Sequence, residues 1–187
     1  MVSQFVSTHD VRLLGNLDFD FPEGTHAIGR LDQHSEGLLI LTTNKKVTRL
    51  LFQGDEPHKR TYLVKVRYAV SPETLELIRN GVSIRVSGGG YYTTAPCEAE
   101  IVSPPDNLFG NGREDKDYIL YTWLKITLTE GKFHQVRKMV GSLHHRCVRL
   151  IRLSIDNLEL VDLPAGGVKE MEEAAFFEQL HMLVTPD

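Results

Sequence analysis

Strand-like segments dominate this chain, and helices do not separate them at a regular spacing. Residues 61–70 (TYLVKVRYAV) and 147–155 (CVRLIRLSI) alternate apolar with polar residues, a pattern that predicts half-buried β-strands. Further strands are predicted at 98–102 and 118–131, and a hairpin around the glycines at 88–90. Because there is no strand–helix period, the pattern predicts an α+β fold, built on a mostly antiparallel mixed sheet in two lobes with flanking helices.

Two helices are predicted from their end signals and apolar spacing. Ser71 is a favourable N-cap, and Pro72 suits the first helical position of a helix that ends at Asn80-Gly81. Its apolar residues are Leu75, Leu77 and Ile78. Residues 133–143 predict a second helix with Phe133, Val136 and Val140 on one face. The Gly/Asn-rich segment 106–117 predicts a loop inserted between strands.

Composition places the chain among ordinary globular proteins. It has 187 residues, 41% hydrophobic and 25% charged, which is enough to bury a core without disulfides. No run of about 18 apolar residues is present, so no membrane span is predicted. The two cysteines, Cys97 and Cys147, have neither disulfide-framework nor zinc spacing, and we expect reduced thiols in a cytoplasmic protein.

The charges of the chain are unevenly distributed. The net charge is −4, yet residues 125–152 carry seven basic residues against Glu130 alone, and residues 153–187 carry one against eight acids. A local basic block is compatible with a phosphate-bearing ligand that binds one face. A set of charges scattered over a solvated surface fits the same numbers. Charge alone leaves both interpretations open.

No metal or nucleotide cofactor is predicted. The adjacent pair His144-His145 has no fixed acidic or thiol partner, and adjacent side chains seldom face one ion. The glycines at 88–90 precede a strand, whereas a phosphate-binding loop opens a helix. Ser35 lies in HSEG, which is not a nucleophile elbow.

Three short motifs remain, and each has an ordinary structural interpretation when taken alone. They are GRLDQHSEGLLILTTN from Gly29, KRTYLVKV from Lys59 and EGKFHQVRKM from Glu130. Asp32 suits a turn, Tyr62 a strand facing the core, and Arg137 a solvated helix surface. In the first motif Leu38–Leu41 predict a short buried strand, which leaves Asp32 in a loop before it.

Together the three motifs resemble those of the pseudouridine synthases, in the RsuA/RluE-type branch that acts on ribosomal RNA, and they occur in that family's order. The resemblance covers about 29–163. It implies a single catalytic domain over 1–187, with two lobes around a central cleft and no separate RNA-binding domain. It also implies isomerisation of a uridine in structured RNA, expected to be large-subunit ribosomal RNA, by a monomer without a cofactor.

The resemblance implies a role for five residues. Asp32 matches the essential aspartate, and Arg137 matches the basic residue that pairs with it and keeps it ionised. Tyr62 matches the aromatic residue that stacks on the target base. Arg30 matches the arginine that holds or displaces the flipped nucleotide, and Val136 matches the apolar residue near the uracil. Whether Asp32 attacks C1′ or removes a proton from C2′ is left open.

We assign phosphate contacts to five further basic residues of the block, namely Lys132, Lys138, Arg146, Arg149 and Arg152. Two other functions fit the same residues. One is a catalytically silent RNA-binding or ribosome-assembly module on the same fold. The other is an aspartate-dependent N-glycoside hydrolase, which releases free uracil.

Overall fold

The computed structural model describes residues 1–53, 57–103 and 118–181. The loop predicted at 106–117 lies outside the described residues. In chain order the strands and helices are β1 (His26–Ile28), β2 (Glu36–Gly37), β3 (Ile40–Thr42), α1 (Lys46–Gln53), β4 (Arg60–Arg67), α2 (Pro72–Asn80), β5 (Ser83–Arg85), β6 (Tyr91–Thr93), β7 (Glu98–Val102), β8 (Tyr121–Leu128), α3 (Gln135–Ser142), β9 (Cys147–Ile155), β10 (Leu158–Glu159) and α4 (Glu173–Gln179).

The main sheet is built around β4, which pairs antiparallel with β8 on one side and with β9 on the other. Within the described residues this sheet has six strands: β10, β9, β4, β8 and β7 lie in that order, and β2 adds to β9 in parallel. The β5–β6 hairpin predicted around the glycines forms a separate two-stranded sheet, as does the β1–β3 pair. The predicted mixed, mostly antiparallel α+β fold is therefore confirmed.

One face of the main sheet packs against α2 and α3. Alternate residues of β4, such as Val64 and Val66, bury their side chains there with Ile78 of α2 and Val140 of α3. The N-cap of α2 forms as predicted, because Ser71 accepts a hydrogen bond from the backbone of Thr74. Two predictions of core residues are wrong: Leu77 is 54% exposed and Phe133 is 66% exposed.

A second core lies where β1, β3, α1 and α4 meet. It contains Ile28, Ile40, Val47 and Phe177, all nearly inaccessible to solvent. Of the strand predicted at 38–41, only Ile40 and Leu41 lie in a strand, β3, which pairs with β1; β2 precedes the predicted range and pairs with β9. Among the described residues, no helix is long and apolar enough to cross a bilayer.

Candidate active site

A cleft of about 520 Å³ opens between two cores, the one beneath α2 and α3 (the first core) and the second core described above. Residues of both line it. Its floor is the end of the main sheet, where β4, β8 and β9 lie side by side. The loop 29–35, between β1 and β2, forms one wall, and the segment 129–136, which leads into α3, forms the opposite wall. Each of the three sequence motifs therefore contributes to a single cleft.

Asp32 lies in the first wall, with its side chain 28% exposed. Its backbone carbonyl accepts a 2.8 Å hydrogen bond from the amide of Ser35, which closes a turn. Two basic side chains lie near its carboxylate: His134 belongs to the opposite wall, and Arg137 belongs to α3 and is not among the lining residues. His134 Nε2 lies 3.5 Å from Oδ1, and Arg137 Nε lies 4.0 Å from Oδ2.

Arg137 makes its shortest contacts with the loop that carries Asp32. Its Nη2 donates to the carbonyl oxygen of His34 at 2.6 Å and to Ser35 Oγ at 3.1 Å. The structure thus brings Arg137 beside Asp32, as the resemblance implied, but at 4.0 Å the pair is longer than a direct hydrogen bond. The guanidinium acts on Asp32 by charge and by fixing the loop around it.

The same loop is held from its other side by the N-terminal segment. Ser3 Oγ accepts from the amide of Leu31 at 2.9 Å and donates to the carbonyl oxygen of Leu31 at 3.0 Å. The amide of Gln4 faces the Arg30 guanidinium, and with its oxygen turned toward that group it accepts from Nη1 at 3.0 Å. Arg30 itself is exposed and lines the cleft.

Two of the predicted residues lie on the floor of the cleft and in the wall formed by 129–136. Tyr62, on β4, lines the cleft and packs partly against the first core. Val136, in the first turn of α3, lines it as well and is only 4% exposed. An aromatic ring and an apolar side chain therefore bound the space beside Asp32.

A second arginine lies in the cleft, at a position assigned from sequence to phosphate contact. Arg152, on β9, is only 5% exposed and lines the cleft. Its Nε donates to the carbonyl oxygen of Leu38 at 2.7 Å. Burial lowers the pKa of its guanidinium, while Tyr62 and, more weakly, Asp32 raise it. Arg152 is therefore buried on the cleft floor, and its assignment to phosphate contact stays a prediction.

Glu130 holds the wall at 129–136 in place through hydrogen bonds, a role that the sequence did not reveal. Its carboxylate accepts hydrogen bonds from the Tyr92 hydroxyl, from the amide of Ala95 at 2.9 Å and from Gln135 Nε2 at 2.7 Å. Burial raises the pKa of Glu130, but these hydrogen bonds outweigh it and the net pKa is lowered from 4.5. Gln135 Oε1 in turn accepts from the amide of Lys132 at 2.8 Å.

The other basic residues assigned to phosphate contact differ in exposure. Lys132 is exposed on the rim, with Nζ 4.6 Å from the centroid of the Tyr92 ring. Lys138 lies outside the cleft lining, with Nζ 5.3 Å from the centroid of the Phe133 ring. Arg149 is a correction: it is 8% exposed and forms a bidentate pair with Glu36, so its charge faces a carboxylate in the fold.

His134 is the other site residue that sequence reasoning missed. It has a left-handed backbone (φ 55°) at the N-cap of α3, and its ring stacks on Phe133 with centroids 3.9 Å apart. The signal was its place inside the third motif, between Lys132 and Arg137. Within the described residues, no group of three or more histidine, cysteine, aspartate or glutamate side chains is arranged to hold a metal ion.

Comparison with known proteins identifies the family to which these three motifs belong. The family model described as RNA pseudouridylate synthase matches residues 16–142, a range that includes both walls and most of the floor of the cleft. The chain belongs to the RNA pseudouridylate synthase family. The implied family is therefore confirmed, together with its enzyme class.

Curated relatives in this family carry ribosomal RNA specificities in their names. The chain is 33% identical over 171 residues to the ribosomal large subunit pseudouridine synthase E of Vibrio vulnificus, covering 91% of this chain and 70% of that protein. It is 26% identical over 149 residues to the ribosomal small subunit pseudouridine synthase A of Escherichia coli K12, covering 79% and 56% respectively.

A solved structure shares the fold. A crystal structure of a pseudouridylate synthase superposes with a TM-score of 0.69 at 24% identity. The match covers 87% of this chain and 63% of that one, so the present chain spans less than two thirds of its solved relative. This likeness supports the assignment of the fold, and the roles of individual residues rest on the geometry above.

Proposed function

We propose that this pseudouridine synthase converts a specific uridine of ribosomal RNA, in the large subunit, to pseudouridine, with Asp32 as the essential carboxylate. One observation carries the proposal. Asp32 lies in an open cleft within the family match, with His134 of the opposite wall and Arg137 of α3 beside its carboxylate. The RNA specificity is taken from relatives named for the large subunit, to which this chain is more similar than to the small-subunit enzyme.

Access to the reacting bond requires the nucleotide to leave the RNA helix. A base inside folded RNA is stacked, so its N1–C1′ bond is shielded until the nucleotide is extruded. The Tyr62 ring on the floor offers an aromatic face that offsets part of the lost stacking. We assign Arg30 on the rim to holding or displacing the flipped nucleotide, and Lys132 and Lys138 to phosphate contact.

The chemistry exchanges one glycosidic bond for another. The N1–C1′ bond breaks, the base turns within the cleft, and C5 bonds to C1′. This isomerisation needs no redox step and no phosphoryl donor, so no cofactor is assigned. Asp32 is 28% exposed and lies within reach of a sugar at the mouth of the cleft. Arg137 fixes the loop that carries it, and Val136 packs against the uracil edge.

The test is to map pseudouridine in ribosomal RNA from cells that lack this protein. One site should disappear, and it should return with the wild-type chain but not with Asp32→Ala. Loss of no site, or full rescue by Asp32→Ala, would reject the proposal. A silent RNA-binding module predicts the same RNA affinity without any lost site, and a hydrolase predicts release of free uracil. The proposed monomeric state is checked by light scattering of the purified chain.

A further inference from the structure

Arg152 lies inside the cleft, and none of the three motifs includes it. On the sheet, Arg152 of β9 is directly opposite Tyr62 of β4. Residues opposite each other on adjacent strands project from the same face, with Cβ atoms about 5 Å apart. Since Tyr62 and Arg152 both line the cleft, the Arg152 guanidinium lies on the cleft side of the sheet, beside the ring assigned to base stacking.

The donors of this guanidinium are not all used within the fold. Nε is occupied by the carbonyl oxygen of Leu38 at 2.7 Å. Nη2 is buried and has no hydrogen-bond partner among the described residues. An arginine stays protonated even when buried, and a buried donor left unpaired costs about 1–3 kcal/mol, more when charged. Nη2 has almost no accessible surface in this structure, so a ligand oxygen must displace neighbouring atoms to reach it, and the hydrogen bond then recovers that cost.

Depth in the cleft favours the base over the phosphates as the source of that oxygen. The cations at the rim, Arg30 and Lys132, are exposed, whereas Arg152 is 5% exposed on the floor. A nucleotide that enters the cleft from the RNA leads with its base and leaves its phosphates at the rim. The acceptors that a uracil presents at depth are its two carbonyl oxygens.

Resting on the function proposed above, we propose that Arg152 donates from Nη2 to a carbonyl oxygen of the flipped uracil and stabilises the uracil anion formed during the reaction. When N1–C1′ breaks, its electron pair stays on the base and spreads over N1, O2 and O4. C5 then supplies the pair for the new bond to C1′. The proton on C5 passes to solvent and N1 takes one up, so the composition is unchanged.

The geometry of uracil lets one donor act before and after the base turns. A half-turn about the axis through N3 and C6 exchanges N1 with C5, and it exchanges the two carbonyl groups as well. A guanidinium that binds one carbonyl oxygen in the substrate therefore meets the other in the product. Because the negative charge is greatest on the detached base, the interaction is strongest at that stage, which is the condition for catalysis.

The test compares single-turnover rates of pseudouridine formation at saturating concentrations of the ribosomal RNA fragment that the wild type modifies. We expect Arg152→Gln to slow the reaction by about 100-fold or more, with RNA affinity within about threefold of wild type. Arg152→Lys keeps the positive charge but loses the planar guanidinium, and its rate should lie between those of the wild type and Arg152→Gln. Arg67→Gln is the matched control, since Arg67 of β4 also has an unpartnered buried nitrogen but lies outside the cleft lining.

The outcomes distinguish a failure of the role proposed for Arg152 from a failure of the proposed function. A folded Arg152→Gln variant at the wild-type rate overturns the role of Arg152, and weaker RNA binding at an unchanged rate indicates a phosphate contact instead. A wild type that forms no pseudouridine rejects the proposed function, whatever the variants do. If the variants unfold, a crystal structure of the wild type with the same RNA decides: we expect a base carbonyl oxygen on Nη2, and a phosphate oxygen or water there overturns the inference.

Discussion

Arg137 lies 4.0 Å from Asp32, yet it donates 2.6 and 3.1 Å hydrogen bonds to the loop that carries Asp32. Its Nη2 makes both contacts with the loop while its Nε faces the carboxylate, whereas a lysine has a single nitrogen for all three. The position of Asp32 therefore depends on the planar fork of Arg137 as well as on its charge.

Arg137→Lys should reduce the rate of pseudouridine formation by about 10- to 100-fold, since hydrogen bonds from a charged donor contribute about 1.5–3 kcal/mol each. Single-turnover kinetics at saturating RNA measure this. Ser35→Ala removes only one of the two acceptors of Nη2 and serves as the control, with a smaller loss than Arg137→Lys. A lysine variant as fast as the wild type would show that the charge alone suffices.

The Tyr62 ring should matter more than its hydroxyl group. Stacking on an aromatic side chain contributes about 1–3 kcal/mol per base, so Tyr62→Leu should slow turnover by about 5- to 150-fold. Tyr62→Phe keeps the ring and loses only the contact with Arg152, and it should stay within roughly tenfold of wild type. Equal rates for the two variants would contradict a stacking role.

Glu130 should make stability depend on pH in acid. Because its pKa in the folded state is lowered from 4.5, the stabilisation is complete above that value. It is lost as the pH falls through the lowered folded-state pKa. Glu130→Gln removes this titration. Urea unfolding at several pH values measures both proteins, and the wild-type advantage in unfolding free energy should shrink from about pH 6 to about pH 3. An advantage that stays constant with pH would refute the assignment.

Gly37 is where the Asp32 loop meets the main sheet, and it has no room for a side chain. Its φ is +102°, and an added Cβ would lie 2.3 Å from the carbonyl oxygen of Arg152. Gly37→Ala should lower the free energy of unfolding by about 2 kcal/mol or more. Gly15→Ala is the control, because no atom lies within 4 Å of its added Cβ. Equal stability of the two variants in urea would disprove a tight junction.

The sequence predicted the parts of this structure that depend on local patterns. Alternation located β4 and β9, and end signals located α2, because strand faces and helix caps are set by neighbours along the chain. The order of three motifs identified the family. Asp32, Tyr62 and Val136 were selected in this way, and the fold brings all three to the cleft.

Contacts between distant segments could not be predicted from those patterns. Arg149 and Arg152 are three positions apart on one strand, so they project to opposite faces. Alternation does not say what covers each face. The chain lays β2 along β9, which brings Glu36 to Arg149 across 113 positions and the carbonyl oxygen of Leu38 to Arg152. Glu130 and His134 were missed for the same reason, since their partners are set by tertiary packing.

The central claim is that Asp32 performs the isomerisation. The most direct measurement is pseudouridine formation in purified ribosomal RNA by the wild type and by Asp32→Asn, alongside their affinity for that RNA. Asp20→Asn is the control, because Asp20 is exposed and lies outside the cleft lining. We predict that the wild type and Asp20→Asn form pseudouridine, and that Asp32→Asn binds the RNA as tightly but forms none. Pseudouridine formed by Asp32→Asn at the wild-type rate would contradict the catalytic role of Asp32.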